Sequence, residues 1–329
     1  MTAAEAALLP DRLPLVDLSG LGTAEGDAAI AGALDAAFGG IGFAYFANTP
    51  ITLAQQDAIV AASRAFHALP DAAKRAIDMN EFHRGYMAPK TSVIQTSSVA
   101  KVTKPNYSES FMFMHEVARE DPRFGLPLQG PNQWPAELPA FRDAVLAYQA
   151  AMEDFCRRLL RPVAIALGLP PDFLLPFFEK PTTFLRLLHY PPQAPDSADD
   201  EFGSAPHTDY GFLTILLQDM SGGLEVRRKD GAWLKATPIR GTYVVNVADM
   251  LARWTNGRWQ STPHRVKNLS GGDRYSCPYF FDMDMDARVE CLATCTDAGN
   301  PPRFPPVLYG DYLLERLNKN YAYRQPPAA

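Results

Sequence analysis

Between Thr183 and Phe281 the chain is a succession of short hydrophobic runs, each closed by proline, glycine, asparagine or aspartate. Phe184 to Tyr190 stops at Pro191-Pro192, Phe212 to Leu217 leads to Gly222-Gly223, and Leu224-Glu225-Val226 turns back through Asp230-Gly231 into Trp233. Tyr243 to Val247 and Arg274 to Phe281 are further apolar runs. Segments of this length, rich in β-branched and aromatic residues and punctuated by turn formers, are strands, and Asp-Gly is a hairpin signal because it tolerates the positive φ of a tight turn. Many short strands in one stretch predict a jelly-roll barrel.

The flanking sequence changes period. Leu13 to Leu18 reads as a short strand. Asp27 is the expected N-cap of a helix over Ala28 to Phe38 that stops at Gly39-Gly40, and Gly42 to Phe46 is an aromatic strand. Ile51 to Leu69 is an amphipathic helix. Phe141 to Leu167 repeats apolar residues at helical spacing through Val145, Tyr148, Met152, Phe155 and Leu159 before Gly168, and Pro171 to Phe178 adds a short helix. The expected class is α+β: a double-stranded β-helix (jelly-roll) barrel flanked by helices, with an N-terminal helical and strand extension. Its parts would be an N-terminal region at 13–120 packed on the barrel, a connector and long supporting helix at 121–181, the core at 182–290, and a C-terminal strand, helix and tail at 291–329, all one structural unit.

Composition narrows the partners. A formal charge of -6 and no run of Lys and Arg leave no field to track phosphates, so nucleic acid is excluded. No apolar run approaches a membrane span, and the first residues lack the basic start and apolar centre of a secretory signal. Cys156, Cys277, Cys291 and Cys295 are too few for a disulfide framework, and Cys291-x-x-x-Cys295 has no second pair to complete a zinc site. A cytoplasmic protein, monomeric or weakly dimeric and acting on a small molecule, is expected.

The chemistry concentrates in His207-Thr208-Asp209, in His264 and in Arg274-Tyr275-Ser276. On a strand, residues two apart share a face, so His207 would lie beside Asp209 and Arg274 beside Ser276. Two imidazoles and one carboxylate form the ligand set that leaves positions open on non-haem Fe(II), and zinc accepts the same types.

This order resembles the iron(II)- and 2-oxoglutarate-dependent oxygenases, in the branch that includes isopenicillin N synthase and the plant flavonoid and hormone oxygenases. Tyr190-Pro191, Gly222-Gly223-Leu224, Asp230-Gly231-x-Trp233, Asn246-Val247-Ala248-Asp249 and His264-Arg265-Val266 agree with it in order and spacing. So do Pro14-x-x-Asp17-Leu18, Gly42-Phe43 leading to Asn48, Arg84-Gly85-Tyr86 and Glu109-Ser110-Phe111. The chain departs at Thr49-Pro50, where the branch has His-Gly, at Leu188, where plant members have Asn, and at Ala248, usually Gly.

The resemblance implies Fe(II) on His207, Asp209 and His264, with 2-oxoglutarate and O2 as cosubstrates. It implies that Arg274, Ser276 and Tyr190 hold the distal carboxylate of 2-oxoglutarate, and that succinate and CO2 leave as a C–H bond is oxidised, most simply by hydroxylation. Candidate substrate-facing residues are Arg84, Tyr86, Tyr107, Arg186 and Phe280. Arg186 stands an even offset from Tyr190 and shares its face, whereas His189 points the other way and is structural. Ser92 to Ser110 is a candidate lid or a long edge strand. Two alternatives keep the same residues: an oxidase like isopenicillin N synthase that does not consume 2-oxoglutarate, and a non-catalytic jelly-roll that senses a ligand or metal.

Overall fold

The computed structural model describes residues 12–91, 99, 102–194, 196–198 and 200–324. Strand β1 (Leu15–Asp17) leads into helix α1 (Ala24–Gly40) and returns as β2 (Phe43–Ala47), which pairs parallel with β1. Thr23, not Asp27, caps α1: its hydroxyl accepts the Gly26 N–H at 3.0 Å. Asp27 lies inside the first turn and accepts the Gly22 N–H at 2.8 Å, a placement that also suits a carboxylate to the positive end of a helix. The helix runs through both glycines. The chain turns at Gly42, whose φ of +74° and 2.1 Å approach to the Gln260 carbonyl from any added Cβ require glycine.

Helix α2 (Leu53–His67) starts with a capping box in which Thr52 and Gln55 satisfy each other's backbone N–H groups. Helix α3 (Asp71–Arg75) precedes the antiparallel strands β3 (Gly85–Met87) and β4 (Glu109–Met114). Residues 92–98 and 100–101 of the candidate lid lie outside the described residues, and its last two residues open β4. Helix α4 (Phe141–Ala166) ends before Gly168 at φ +71°. The helix expected at 171–178 is only a 3-10 turn over Leu175–Phe178, where Pro176 removes a backbone donor.

The remaining strands are β5 (Thr182–Tyr190), β6 (Ser204–His207), β7 (Leu213–Gln218), β8 (Leu224–Arg227), β9 (Trp233–Lys235) and β10 (Tyr243–Val247). Helix α5 (Asp249–Trp254), strands β11 (His264–Val266), β12 (Arg274–Asp282), β13 (Arg288–Val289) and β14 (Val307–Leu308), and helix α6 (Tyr309–Asn320) complete the chain. They form an eight-stranded sheet in the order β1-β2-β10-β7-β12-β5-β4-β3 and a four-stranded sheet in the order β6-β11-β8-β9, with β13 and β14 apart.

The two-residue period of the strands decides what each face does. On the large sheet, Leu185, Ile215, Val245 and Tyr279 join the core that also contains Phe38 of α1, Phe66 of α2 and Phe155 of α4. On the opposite face, Phe43, Tyr45, Leu188 and Val244 pack with Leu224, Val226, Leu234 and Val266 of the small sheet. At about 25 cal/mol per Å2, each such side chain contributes roughly 1.5–3 kcal/mol on burial.

The fold is thus α+β, with a large mixed sheet and flanking helices, consistent with the expected jelly roll, although the strands do not close into a barrel. Among the described residues no strand of one sheet is hydrogen-bonded to a strand of the other. The small sheet's strands of three or four residues span about 10–13 Å, too short to wrap round and close on the large one. The gap between the sheets holds the polar residues described next. Among the described residues no helix is long and apolar enough to cross a membrane.

Candidate metal centre and its two cavities

His207, Asp209 and His264 converge with their ligating atoms all within 4.8 Å of one another. The imidazoles come from neighbouring strands, because β6 and β11 pair antiparallel with His207 directly opposite His264. Their ring centroids lie 4.3 Å apart. Asp209 arrives differently from the expectation: β6 ends at His207, and Asp209 stands in the following loop. The strand period does not put it there. The loop is held by the Asp249 N–H on the Asp209 carbonyl at 2.8 Å and by Asp282, which accepts the Phe212 N–H at 2.7 Å. Gly211 lets Asp282 approach, since a Cβ there would fall 1.7 Å from its carboxylate.

The hydrogen bonds around the triad leave one atom of each residue for a metal. His207 Nδ1 bonds the Ala205 carbonyl at 2.7 Å and His264 Nδ1 the Thr262 carbonyl at 3.2 Å, which leaves both Nε2 atoms for the centre. Asp209 Oδ2 accepts from Thr214 Oγ1 at 2.6 Å and from Asn246 Nδ2 at 2.8 Å. Oδ1 remains, 3.8 Å from His207 Nε2.

Protonation agrees with this geometry. Burial and then the adjacent His264 push His207 down, so that its imidazole stays neutral. Burial would raise Asp209, but the two imidazoles and the Thr214 and Asn246 hydrogen bonds outweigh it and hold the carboxyl ionised. A neutral His207 and an ionised Asp209 are the forms in which these two side chains bind a divalent metal. Thr214 and Asn246 were not identified by sequence reasoning, although Asn246 lies in a motif it singled out. Replacing Asn246 with Ala is expected to weaken iron binding about 10–100-fold with little change in secondary structure, measured by Fe(II) titration. Unchanged iron affinity would remove the amide from the site.

Two cavities meet at the triad. The first runs between the sheets from His207, Asp209 and His264 to Tyr190, Arg274 and Ser276. Arg274 is fully buried. Its Nε donates to the Gly222 carbonyl at 2.5 Å, Nη1 lies 3.3 Å from Ser276 Oγ, and the guanidinium sits 4.6 Å from the Tyr190 ring centroid. No carboxylate pairs with it among the described residues.

The second cavity, about 790 Å3 with its open mouth, extends from His207 and Asp209 past Arg186 and Phe280 to Leu313 and Leu317 of α6. Arg186 and Phe280 line both cavities, as their side-chain parity requires.

Three expected substrate residues are elsewhere. Arg84 is wholly buried and donates to the carbonyls of Phe82, Leu128 and His115, so it ties loops together. Tyr86 donates to Glu109 Oε2 at 2.5 Å in a buried cluster with Lys74 and His189. Tyr107 is 38 % exposed in a surface groove beside Lys90. His189, as expected, faces away from the cavities, stacked on Tyr275 at 4.8 Å. His83 was not singled out, yet it lines the second cavity beside Tyr321.

Three ligands facing two open cavities keep coordination positions free for reactants, as mononuclear non-haem metal enzymes do and closed structural zinc sites do not. Residues 181–283 match the 2OG-Fe(II) oxygenase superfamily, and residues 13–137 match the family described as non-haem dioxygenase in morphine synthesis N-terminal. The chain is 35% identical over 273 residues to the 2-oxoglutarate-Fe(II) type oxidoreductase hxnY of Emericella nidulans, covering 80% of this chain and 76% of that one. Among solved structures it resembles a Neurospora crassa protein in complex with alpha-KG and thymine, with TM-score 0.84 and 29% identity over 95% of this chain and 99% of that one. It also resembles a rice dioxygenase for auxin oxidation, with TM-score 0.73 and 28% identity over 94% and 96% of the two chains.

The chain belongs to the 2OG-Fe(II) oxygenase superfamily. It is an enzyme that uses Fe(II) and 2-oxoglutarate to oxidise a small molecule.

Proposed function

We propose that His207, Asp209 and His264 hold the iron, that Arg274, Ser276 and Tyr190 anchor the distal carboxylate of 2-oxoglutarate, and that the second cavity takes the substrate for hydroxylation. The observation that carries this reading is the single cavity joining the triad to a buried, unpaired guanidinium. A buried cation without a counter-ion is costly, and a dicarboxylate placed with one end at the triad would supply the missing charge. The planar fork of Arg274 suits a carboxylate, and the hydroxyl of Ser276 adds a donor. The two facing sheets are compatible with the jelly-roll core expected for the isopenicillin N synthase-like branch.

The iron that His207, Asp209 and His264 would hold would supply, with 2-oxoglutarate, the activation of O2, one oxygen atom going into succinate as CO2 leaves and the other into the substrate's C–H bond as a hydroxyl. This chain's residues supply position and environment. Asp209 carries the anionic ligand charge, Thr214 and Asn246 fix its orientation, and Phe280 with Leu313 and Leu317 line the substrate side with apolar groups.

The test follows succinate and O2 together. With Fe(II), 2-oxoglutarate and O2, the purified enzyme is expected to form succinate in proportion to the O2 consumed. O2 uptake with a substrate but no succinate would favour the oxidase reading, and iron-free ligand binding without O2 uptake would favour a sensor.

A further inference from the structure

Arg186 stands on the inner face of β5 and lines both cavities. Its Nε donates to Ser110 Oγ at 2.9 Å and one terminal nitrogen lies 3.6 Å from the Met87 sulfur. Among the described residues no carboxylate pairs with it. The two acids that line the second cavity are otherwise engaged. Asp209 belongs to the triad, and Asp282 accepts from Tyr309 Oη at 2.6 Å and from the Phe212 N–H. A half-buried guanidinium beside a substrate cavity with no internal counter-ion calls for an anionic ligand.

His83 adds a second observation on the same wall. It is buried at φ +64°, with Nδ1 bonded to the Tyr323 hydroxyl, and its Nε2 has no hydrogen-bond partner among the described residues. Burial and then the charges of Arg324, Arg186 and Arg84 push this imidazole down to about 3, so it stays neutral in a positive local field. Asn106, Ser204, Thr208 and Asn320 add uncharged polar groups to the lining, and the apolar part is built from Phe184 and Phe280, which meet edge to face at 6.2 Å, with Leu313 and Leu317 of α6.

We infer that the substrate is a compact monocarboxylate with a flat apolar body, its carboxylate paired with Arg186 and its body held among Phe184, Phe280 and α6. The inference rests on the proposed division of the two cavities. Arg186 is the one Arg or Lys among the described residues that line this cavity, so it balances one carboxylate there, and a dianion would leave a buried charge without a partner. The flat body follows from the aromatic walls, which offer ring faces and edges.

The test uses the Fe(II)- and 2-oxoglutarate-loaded enzyme without O2, with benzoate and phenylacetate as probes, their amides as uncharged matches, and thymine, the ring held by the Neurospora relative. Binding is read from the shift of the visible band of the iron–2-oxoglutarate chelate. The acids are expected to bind at least roughly tenfold more tightly than their amides, the scale of one charge-assisted hydrogen bond. Arg186→Gln should erase that preference while the 2-oxoglutarate requirement stays the same, and Arg186→Lys should retain part of it, which shows that the site still folds.

Acids that bind no better than amides or thymine, or not at all, would overturn the inference. So would an Arg186→Gln enzyme that keeps the acid preference but needs more 2-oxoglutarate, because Arg186 would then serve the cosubstrate. A wild-type enzyme that forms no chelate band overturns the division of the site and this inference with it; a band without acid preference overturns the inference alone.

Discussion

The Asp209→Ala enzyme is expected to retain no iron and to catalyse no 2-oxoglutarate turnover while keeping wild-type secondary structure. Asp209 supplies the only negative charge among the three ligands, and the remaining imidazoles, one on each of two short strands, do not neutralise a divalent ion. The loss extends beyond the ligand. Thr214 Oγ1 and Asn246 Nδ2 lose their acceptor, at about 1–3 kcal/mol for each donor left unsatisfied. The core packed on α1, α2 and α4 lies on the opposite face of the large sheet and is untouched. Metal analysis together with circular dichroism checks the prediction, and a variant that holds iron and turns over normally would remove Asp209 from the site.

The second large effect is at Arg274. Arg274→Ala is expected to raise the 2-oxoglutarate concentration required by at least roughly tenfold, about 1.4 kcal/mol or more, with iron affinity unchanged. The guanidinium is positioned by the Gly222 carbonyl, by Ser276 and by the Tyr190 ring beside it. Gly223 contributes by its absent side chain: at φ +88° its missing Cβ would lie 2.5 Å from the Lys267 carbonyl and 3.6 Å from Arg274 Cδ. Arg274→Lys keeps the charge but loses the planar fork, so its defect should be smaller and should not vanish. Half-saturation for 2-oxoglutarate at fixed Fe(II) separates these cases.

Much of this site can be read in the sequence because strands are periodic. Alternation alone puts Arg274, Ser276 and Phe280 on one face of β12, and Arg186, Leu188 and Tyr190 on one face of β5, and both sets line the first cavity. The same logic sends His189 to the other face, where it bonds Glu109 and Asp273.

It reaches the right neighbour by the wrong route at Asp209, which the loop anchored by Asp249 and Asp282 brings back to the metal side. Arg84 and Tyr86 show a different limit. A motif tells which residue types occur, but whether a guanidinium meets solvent, substrate or three backbone carbonyls depends on loops more than thirty residues away. His83 and the α6 residues Leu313 and Leu317 reach the second cavity from opposite ends of the chain, and no local pattern announces such a meeting. The open pair of sheets has a similar cause, since strand existence is local and closure depends on strand length and spacing.

Arg274 and Arg186, neither paired with a carboxylate among the described residues, are the guanidiniums assigned to cosubstrate and substrate in the proposed division of the two cavities. The most direct test of this division is anaerobic reconstitution with Fe(II) followed by titration with 2-oxoglutarate, watching for the weak visible charge-transfer band of the chelate. The band is expected to appear and saturate in the wild-type enzyme, to shift to much higher 2-oxoglutarate in Arg274→Ala, and to be absent in Asp209→Ala. Iron that binds tightly while 2-oxoglutarate produces no band, or a band indifferent to Arg274, would contradict it.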